Sequence, residues 1–169
     1  MAETNGTKKH TISLYVSNKP GVLIRISLVF ARRGYNIDSL VVSEAHDPAF
    51  SHMNIVASGD ERTLDQIIKQ LNKLVDVVHA RDNTGLDVVQ RELALIKVNC
   101  NPEYRAEILQ ISQAFKGDTV DLDEHTLTVQ VTGKSDKIDA IHSVLNKFGI
   151  IEMVRTGKVL MARGKESTF

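Results

Sequence analysis

The chain has 169 residues, 42% of them hydrophobic and 25% charged, with 21 basic and 21 acidic side chains. That composition is one large or two small globular domains, and a net charge of zero leaves no electrostatic footprint for nucleic acid or an anionic membrane. No apolar run approaches a membrane span, MAETNGTKKH has no apolar segment of a secretion signal behind it, and the single cysteine, Cys100, fits a reducing cytoplasm.

Residues 1–10 read as a flexible tail. In TISLYVS, residues 11–17, Ile12, Leu14 and Val16 alternate with polar neighbours, the pattern of a half-buried strand. Asn18-Lys19-Pro20-Gly21 then turns the chain into a helix expected over about residues 20–33, with Val22, Ile26, Val29 and Phe30 on one face. Pro20 suits a first helical position, and Gly34 suits a left-handed helix end. A strand over about 36–45, a turn at Asp47-Pro48 and a strand over about 50–57 follow. After a break at Gly59-Asp60, Leu64, Ile67, Ile68 and Leu71 mark a helix over about 62–74, and Val75, Val77 and Val78 a fourth strand. The order is βαββαβ, the ferredoxin-like unit.

Asp82-Asn83-Thr84-Gly85 is the expected boundary, and the order then repeats. Leu93–Val98 alternates as a strand, and Tyr104, Ile108, Ile111 and Phe115 form a helical stripe closed by Gly117. Two strands surround Asp123-Glu124-His125. A second stripe of Ile138, Ile141, Leu145 and Phe148 is closed by Gly149, and two last strands are joined by a hairpin turn at Thr156-Gly157. The fold class is therefore α+β: two ferredoxin-like βαββαβ domains, residues 11–84 and 85–169.

The turn at 18–21 is the candidate site. The first N–H groups of a helix, here those of Gly21, Val22 and Leu23, have no intrahelical acceptor and lie at the positive end of the macrodipole. They suit a carboxylate, and Asn18 adds a donor and an acceptor beside them. Taken alone, such a turn is more simply a capped helix start that binds nothing. Gly21 argues the other way: it stands inside an expected first turn, where Ala would be about 1 kcal/mol better. An Asp at that position is expected to leave the helix intact.

Other chemistry is absent. There is no GxxxxGK[ST], GxGxxG, HExxH or CxxC, and the six histidines do not fall at metal-ligand spacing. Cys100, just after a strand, reads as a packed residue, and the acidic run Asp118–Glu124 as a solvated hairpin.

The run NKPGVLIRISLVFARRGYNIDSLVV resembles the amino-terminal ACT domain of the small regulatory subunit of acetolactate synthase. DPAFSHMNIV, QLNKLVDVV, RELALIKV and FGIIEMVRTGKVLMARG resemble the same family, so the likeness spans about residues 11–164. His52 stands where the family usually has Arg. The resemblance implies a non-catalytic regulatory subunit. It would activate the large catalytic subunit and convey feedback inhibition by valine in branched-chain amino-acid biosynthesis. It implies no cofactor of its own; thiamine diphosphate, Mg²⁺ and FAD would belong to the catalytic partner. It implies a homodimer through the first domain, with valine between subunits at Asn18, Gly21, Val22 and Leu23 of one copy and Asn36 and Ile37 of the other. The second domain is expected to lack such a site, because Glu103 follows Pro102 where Gly21 follows Pro20. Two other uses of the fold fit less well. An acylphosphatase-like enzyme needs an arginine in the first loop, which holds only Lys19. An RNA-recognition domain needs strand aromatics and a basic face.

Overall fold

The alternation of Ile12, Leu14 and Val16 puts one face of strand β1 (Lys8–Ser17) wholly inside the protein. The computed structural model describes residues 8–168, which form two units: residues 8–89 with 158–168, and residues 90–157. Seven residues of the expected tail, 1–7, lie outside the described residues; Lys8, Lys9 and His10 are already strand, paired with Gly59, Ser58 and Ala57.

In the first unit β1 is followed by α1 (Val22–Ala31), β2 (Asn36–Glu44), β3 (Phe50–Gly59), α2 (Glu61–Leu71) and β4 (Val77–Asp82). The sheet order is β2-β3-β1-β4 with antiparallel neighbours, which is the ferredoxin-like topology. Val22, Ile26, Val29 and Phe30 of α1 and Leu64, Ile67 and Leu71 of α2 pack on Ile12, Leu14, Met53 and Ile55. These are the helical stripes read from the sequence, and each is buried because its spacing matches the helix period. Asp60 caps α2, its Oδ1 accepting from the Thr63 N–H at 2.8 Å. The helix–strand connection differs from expectation at Val75, which is fully exposed in the α2–β4 turn rather than in a strand.

The second unit holds β5 (Val88–Asn99), α3 (Arg105–Ala114), β6 (Asp118–Leu122), β7 (Thr126–Gly133), α4 (Ser135–Leu145) and β8 (Ile150–Arg155), and its strands run β6-β7-β5-β8. Ala94, Ile96, Val98, Cys100, Ile108, Leu127, Val129, Ile138 and Ile141 form its core, so Cys100 is a packed residue. Gly117 closes α3 as expected, its N–H donating to Ser112 O at 2.8 Å, after Lys116 has taken the left-handed conformation at φ +52. One turn departs from the sequence reading. Thr156-Gly157 is no hairpin: β8 belongs to the second unit, whereas β9 (Val159–Ala162) groups with the first. Thr156 instead donates its N–H to Leu93 O at 3.0 Å, tying the end of β8 to β5. Among the described residues no helix is long and apolar enough to cross a membrane.

One buried charge organises the second unit. The Glu92 side chain is 4% exposed and accepts from Arg155 Nε at 3.0 Å, from Arg155 Nη2 at 2.7 Å and from the Ser135 hydroxyl. Arg155 reaches Asp139 with its remaining nitrogen at 2.6 Å, so β5, β8 and α4 share one network. Removing the cation leaves a carboxylate desolvated and unpaired, which costs far more than an exposed pair. Arg155→Met is therefore expected to lower stability by about 3 kcal/mol, read as a fall in urea midpoint at unchanged slope.

Candidate functional site

The chain leaves β1 at Ser17 and enters α1 five residues later through a turn built on backbone bonds. Asn18 N–H donates to Ala49 O at 2.8 Å, Lys19 N–H to Ser17 O at 3.0 Å and Val22 N–H to Lys19 O at 3.4 Å. Gly21 lies at φ +84, ψ −8, the left-handed region. The helix thus begins at Val22 and not at Pro20, because a residue at positive φ cannot continue a right-handed helix backwards. No side chain caps α1 and no acid stands in its first turn. Among the described residues the N–H groups of Leu23 and Ile24 donate to no protein acceptor, while that of Val22 makes only the long bond to Lys19. The start of α1 is therefore an electropositive cluster of backbone donors with no side chain of its own upon it.

Sequence reasoning missed the brace on this turn. Arg25, one turn into α1, sends Nε and Nη2 to Asp76 Oδ2 at 2.9 and 2.6 Å. Asp76 also accepts the Ser17 N–H on its backbone oxygen at 2.8 Å, so the α2–β4 turn holds both ends of the β1–α1 turn. The third guanidinium nitrogen lies 3.1 Å from where a Cβ on Gly21 would stand. A side chain at position 21 is strained by the backbone conformation, and its Cβ would press on the end of Arg25. The expectation that Asp at 21 leaves the helix start undisturbed is corrected on both grounds. In the sequence, Arg25 stands outside the apolar stripe of Val22, Ile26, Val29 and Phe30.

Asn18 donates Nδ2 to Pro48 O at 3.0 Å and, more weakly, to Glu44 Oε2 at 3.5 Å, which ties the turn to the β2–β3 hairpin. Asn36 and Ile37 lie elsewhere. They open β2, paired with Ser58 and Ala57, and α1 runs between them and the Asn18 turn. A ten-residue helix is about 15 Å long. Within one chain the structure therefore does not bring the six nominated residues together: Asn18, Gly21, Val22 and Leu23 cluster at one end of α1, and Asn36 and Ile37 lie past the other. Asn36 Nδ2 donates to Asp38 Oδ1 at 2.6 Å, and the Ser58 hydroxyl donates to the second oxygen of Asp38. The Ser58 hydrogen bond first, then that from Asn36 and the charge of Lys9, hold the Asp38 carboxyl below its ordinary value of 3.8, against a smaller opposing effect of burial.

Between the two clusters lies an apolar, unpaired border. β2 is the edge of its sheet, and on α1 Leu23, Ile24 and Leu28 are 41%, 67% and 44% exposed. A helix apolar on both faces ordinarily has both faces covered.

The matching turn of the second unit is built differently. Tyr104 precedes α3 at φ −103, with no left-handed residue, and Glu107 stands in the first turn. A cavity of about 260 Å³ there, lined by Asn99, Asn101, Tyr104, Glu107, Lys147 and Phe148, holds its own Glu107–Lys147 ion pair. A further cavity, of about 690 Å³, lies on the helix-free face of the first sheet against Tyr15, His46, Asp47, His52 and His79. Tyr15 stacks there on Phe50 at 4.9 Å. The fold gathers three of the scattered histidines, yet among the described residues no group of His, Cys, Asp or Glu is arranged to hold a metal.

Comparison with known proteins gives the following. A family model described as the AHAS small subunit-like ACT domain matches residues 12–79, and one described as the small subunit of acetolactate synthase matches residues 91–164. A Methanothermobacter thermautotrophicus protein, a probable acetolactate synthase small subunit, is 47% identical over 94% of this chain and 95% of its own. The acetolactate synthase small subunit of Aquifex aeolicus is 46% identical over 92% of this chain and 82% of its own. The crystal structure of the acetolactate synthase small subunit from Thermotoga maritima superposes with a TM-score of 0.83 at 37% identity, covering 94% of this chain and 99% of that one.

Two expectations follow from the geometry. Gly21→Ala must place a Cβ in the left-handed region and against Arg25, so it is expected to cost about 1–2 kcal/mol, measured by urea denaturation. The Asp38 carboxyl, lowered by its hydrogen bonds, contributes stability above the unfolded-state value and loses it as pH falls through the lower folded-state value. A carboxyl-carbon NMR titration should place its midpoint below that of a free aspartate, and Ser58→Ala should move it upward.

Proposed function

Because this chain belongs to the acetolactate synthase small-subunit family, we propose that it binds the large catalytic subunit, raises its activity and conveys feedback inhibition by valine. The chain is a regulatory subunit and not itself the catalyst. We assign thiamine diphosphate, Mg²⁺ and FAD to the catalytic partner in the same proposal, and place the complex in the cytoplasm.

The observation that carries the reading is the separation of the two clusters along α1. One supplies backbone N–H groups for a carboxylate, at the uncapped start of α1. The other supplies Asn36 and the β2 backbone, past the far end of the same helix. If two copies pack with α1 and β2 antiparallel about a two-fold axis, the start of one α1 meets the β2 opening of the other. Two equivalent sites then form together, as isologous pairing requires. The exposed Leu23, Ile24 and Leu28 and the free edge of β2 lie where that pairing would cover them. A branched-chain amino acid matches the resulting chemistry: donors for its carboxylate, acceptors for its ammonium, apolar side chains around its methyl groups. Leucine and isoleucine are isomers, each one methylene larger than valine, and a methylene is worth about 1–3 kcal/mol in such a pocket.

The second unit is proposed to carry no amino-acid site. The place of the left-handed glycine is taken by residues with side chains, and Glu103 and Glu107 bring negative charge to the start of α3.

Leu28→Glu tests the reading, since it puts a charge on the apolar face of α1 without touching either cluster. Light scattering at micromolar concentration should show a dimer for the wild type and a monomer for the variant. Activity of the complex reconstituted with the catalytic subunit should fall with valine only for the wild type. A wild-type monomer that still mediates valine inhibition would refute the shared site.

A further inference from the structure

The two asparagines of the proposed ligand site are held in one polarity. Asn18 Nδ2 faces Pro48 O and Glu44 Oε2, and Asn36 Nδ2 faces Asp38 Oδ1. Carbonyl and carboxylate oxygens only accept, so an amide beside them must turn its NH₂ toward them and its Oδ1 away. Among the described residues neither Oδ1 receives a hydrogen bond. Each asparagine thus presents a bare acceptor.

For Asn36 the lock is built with some care. The pairing of β2 with β3 slips between Ile37 and Ser39, so Asp38 is the extra residue of a bulge, opposite no single partner. The bulge lets Asn36 and Asp38 lean together, and the Ser58 hydroxyl from β3 fixes the carboxylate from the other side. The Ser58 hydrogen bond above all, with that of Asn36, favours the carboxylate form of Asp38. A neutral residue here would let the Asn36 amide rotate and offer either end.

We infer that Asp38 is a positioning residue that fixes Asn36 as a hydrogen-bond acceptor, so that the site requires an ammonium group on its ligand and rejects the 2-oxo acid of the same carbon skeleton. The inference rests on the reading that an amino acid occupies this site. An ammonium brings three donors to the acceptors that surround it. The carbonyl of a 2-oxo acid brings none, and would set its own oxygen against amide oxygens and a carboxylate. Sites whose polar groups are left unpaired by the wrong ligand discriminate far more strongly than sites that sense one methylene.

Calorimetry on the full chain with L-valine and with 3-methyl-2-oxobutanoate, its 2-oxo analogue, tests this. The wild type should bind valine about 100-fold or more tightly than the analogue. Asp38→Asn should weaken valine by about tenfold while leaving the analogue unchanged or tighter, so that the preference collapses. In an Asn36→Ala background the same substitution should change valine affinity by less than about twofold, because Asp38 acts through that amide. Ser58→Ala keeps the charge and loosens its hold, and should erode the preference in the same direction by a smaller factor; it carries the test if Asp38→Asn does not fold. Valine binding by Asp38→Asn within twofold of wild type, or an equal loss for both ligands, overturns the inference and leaves the amino-acid site standing. A wild type that binds both compounds equally overturns it too. A wild type that binds neither overturns the inference together with the reading beneath it.

Discussion

The rest of the first unit's chemistry depends on one backbone conformation, the left-handed φ of Gly21. It ends the β1 turn and starts α1 with no side chain at the junction, so the helix's first donors stay bare. Any other residue would strain the backbone and bring a Cβ to 3.1 Å from the end of Arg25. Arg25 and Asp76 hold the arrangement from outside. Their pair is partly exposed and contributes little to stability by itself. Its effect is geometric: Asp76 takes the end of β1 on its carbonyl and the first turn of α1 on its carboxylate, so the two elements cannot drift apart independently.

The same topology in the second unit shows what that conformation contributes. There too a proline stands just before the helix, but the next residues carry side chains and the helix starts without a positive φ. The cavity at the helix start is lined by an ion pair and by Tyr104 and Phe148, whose rings lie 5.8 Å apart. The second unit's distinctive feature lies instead in its buried Glu92, a carboxylate tied to Arg155 and Ser135. That network pairs the buried carboxylate with three donors from β8 and α4. The two units thus share one strand order and place their polar side chains differently.

Much of the fold was legible in the chain. The stripes Val22-Ile26-Val29-Phe30 and Leu64-Ile67-Leu71 are the buried faces of α1 and α2, because period and burial are the same fact seen in one and three dimensions. The motif around Asn18–Gly21 and Tyr35–Ile37 carried the family, which the relatives bear out over nearly the whole chain. Connections were read less well. Val75 looks like strand and is fully exposed, and β8 and β9 part company at a glycine that resembled a hairpin. In each case the local preference was weak, and long-range packing chose otherwise.

What the sequence determined by itself was the set of elements and their order, which follow from periodicity, and the family, which follows from the motif around Asn18–Gly21. What only the tertiary structure decided was how side chains are grouped and aimed. The sheet order makes β2 an edge, and the length of α1 keeps Asn18 and Asn36 apart. Folding brings Asp76 to Arg25 from 51 residues away and Ser58 to Asp38 from 20. No local pattern encodes such pairings, because they depend on which strands become neighbours and in what register.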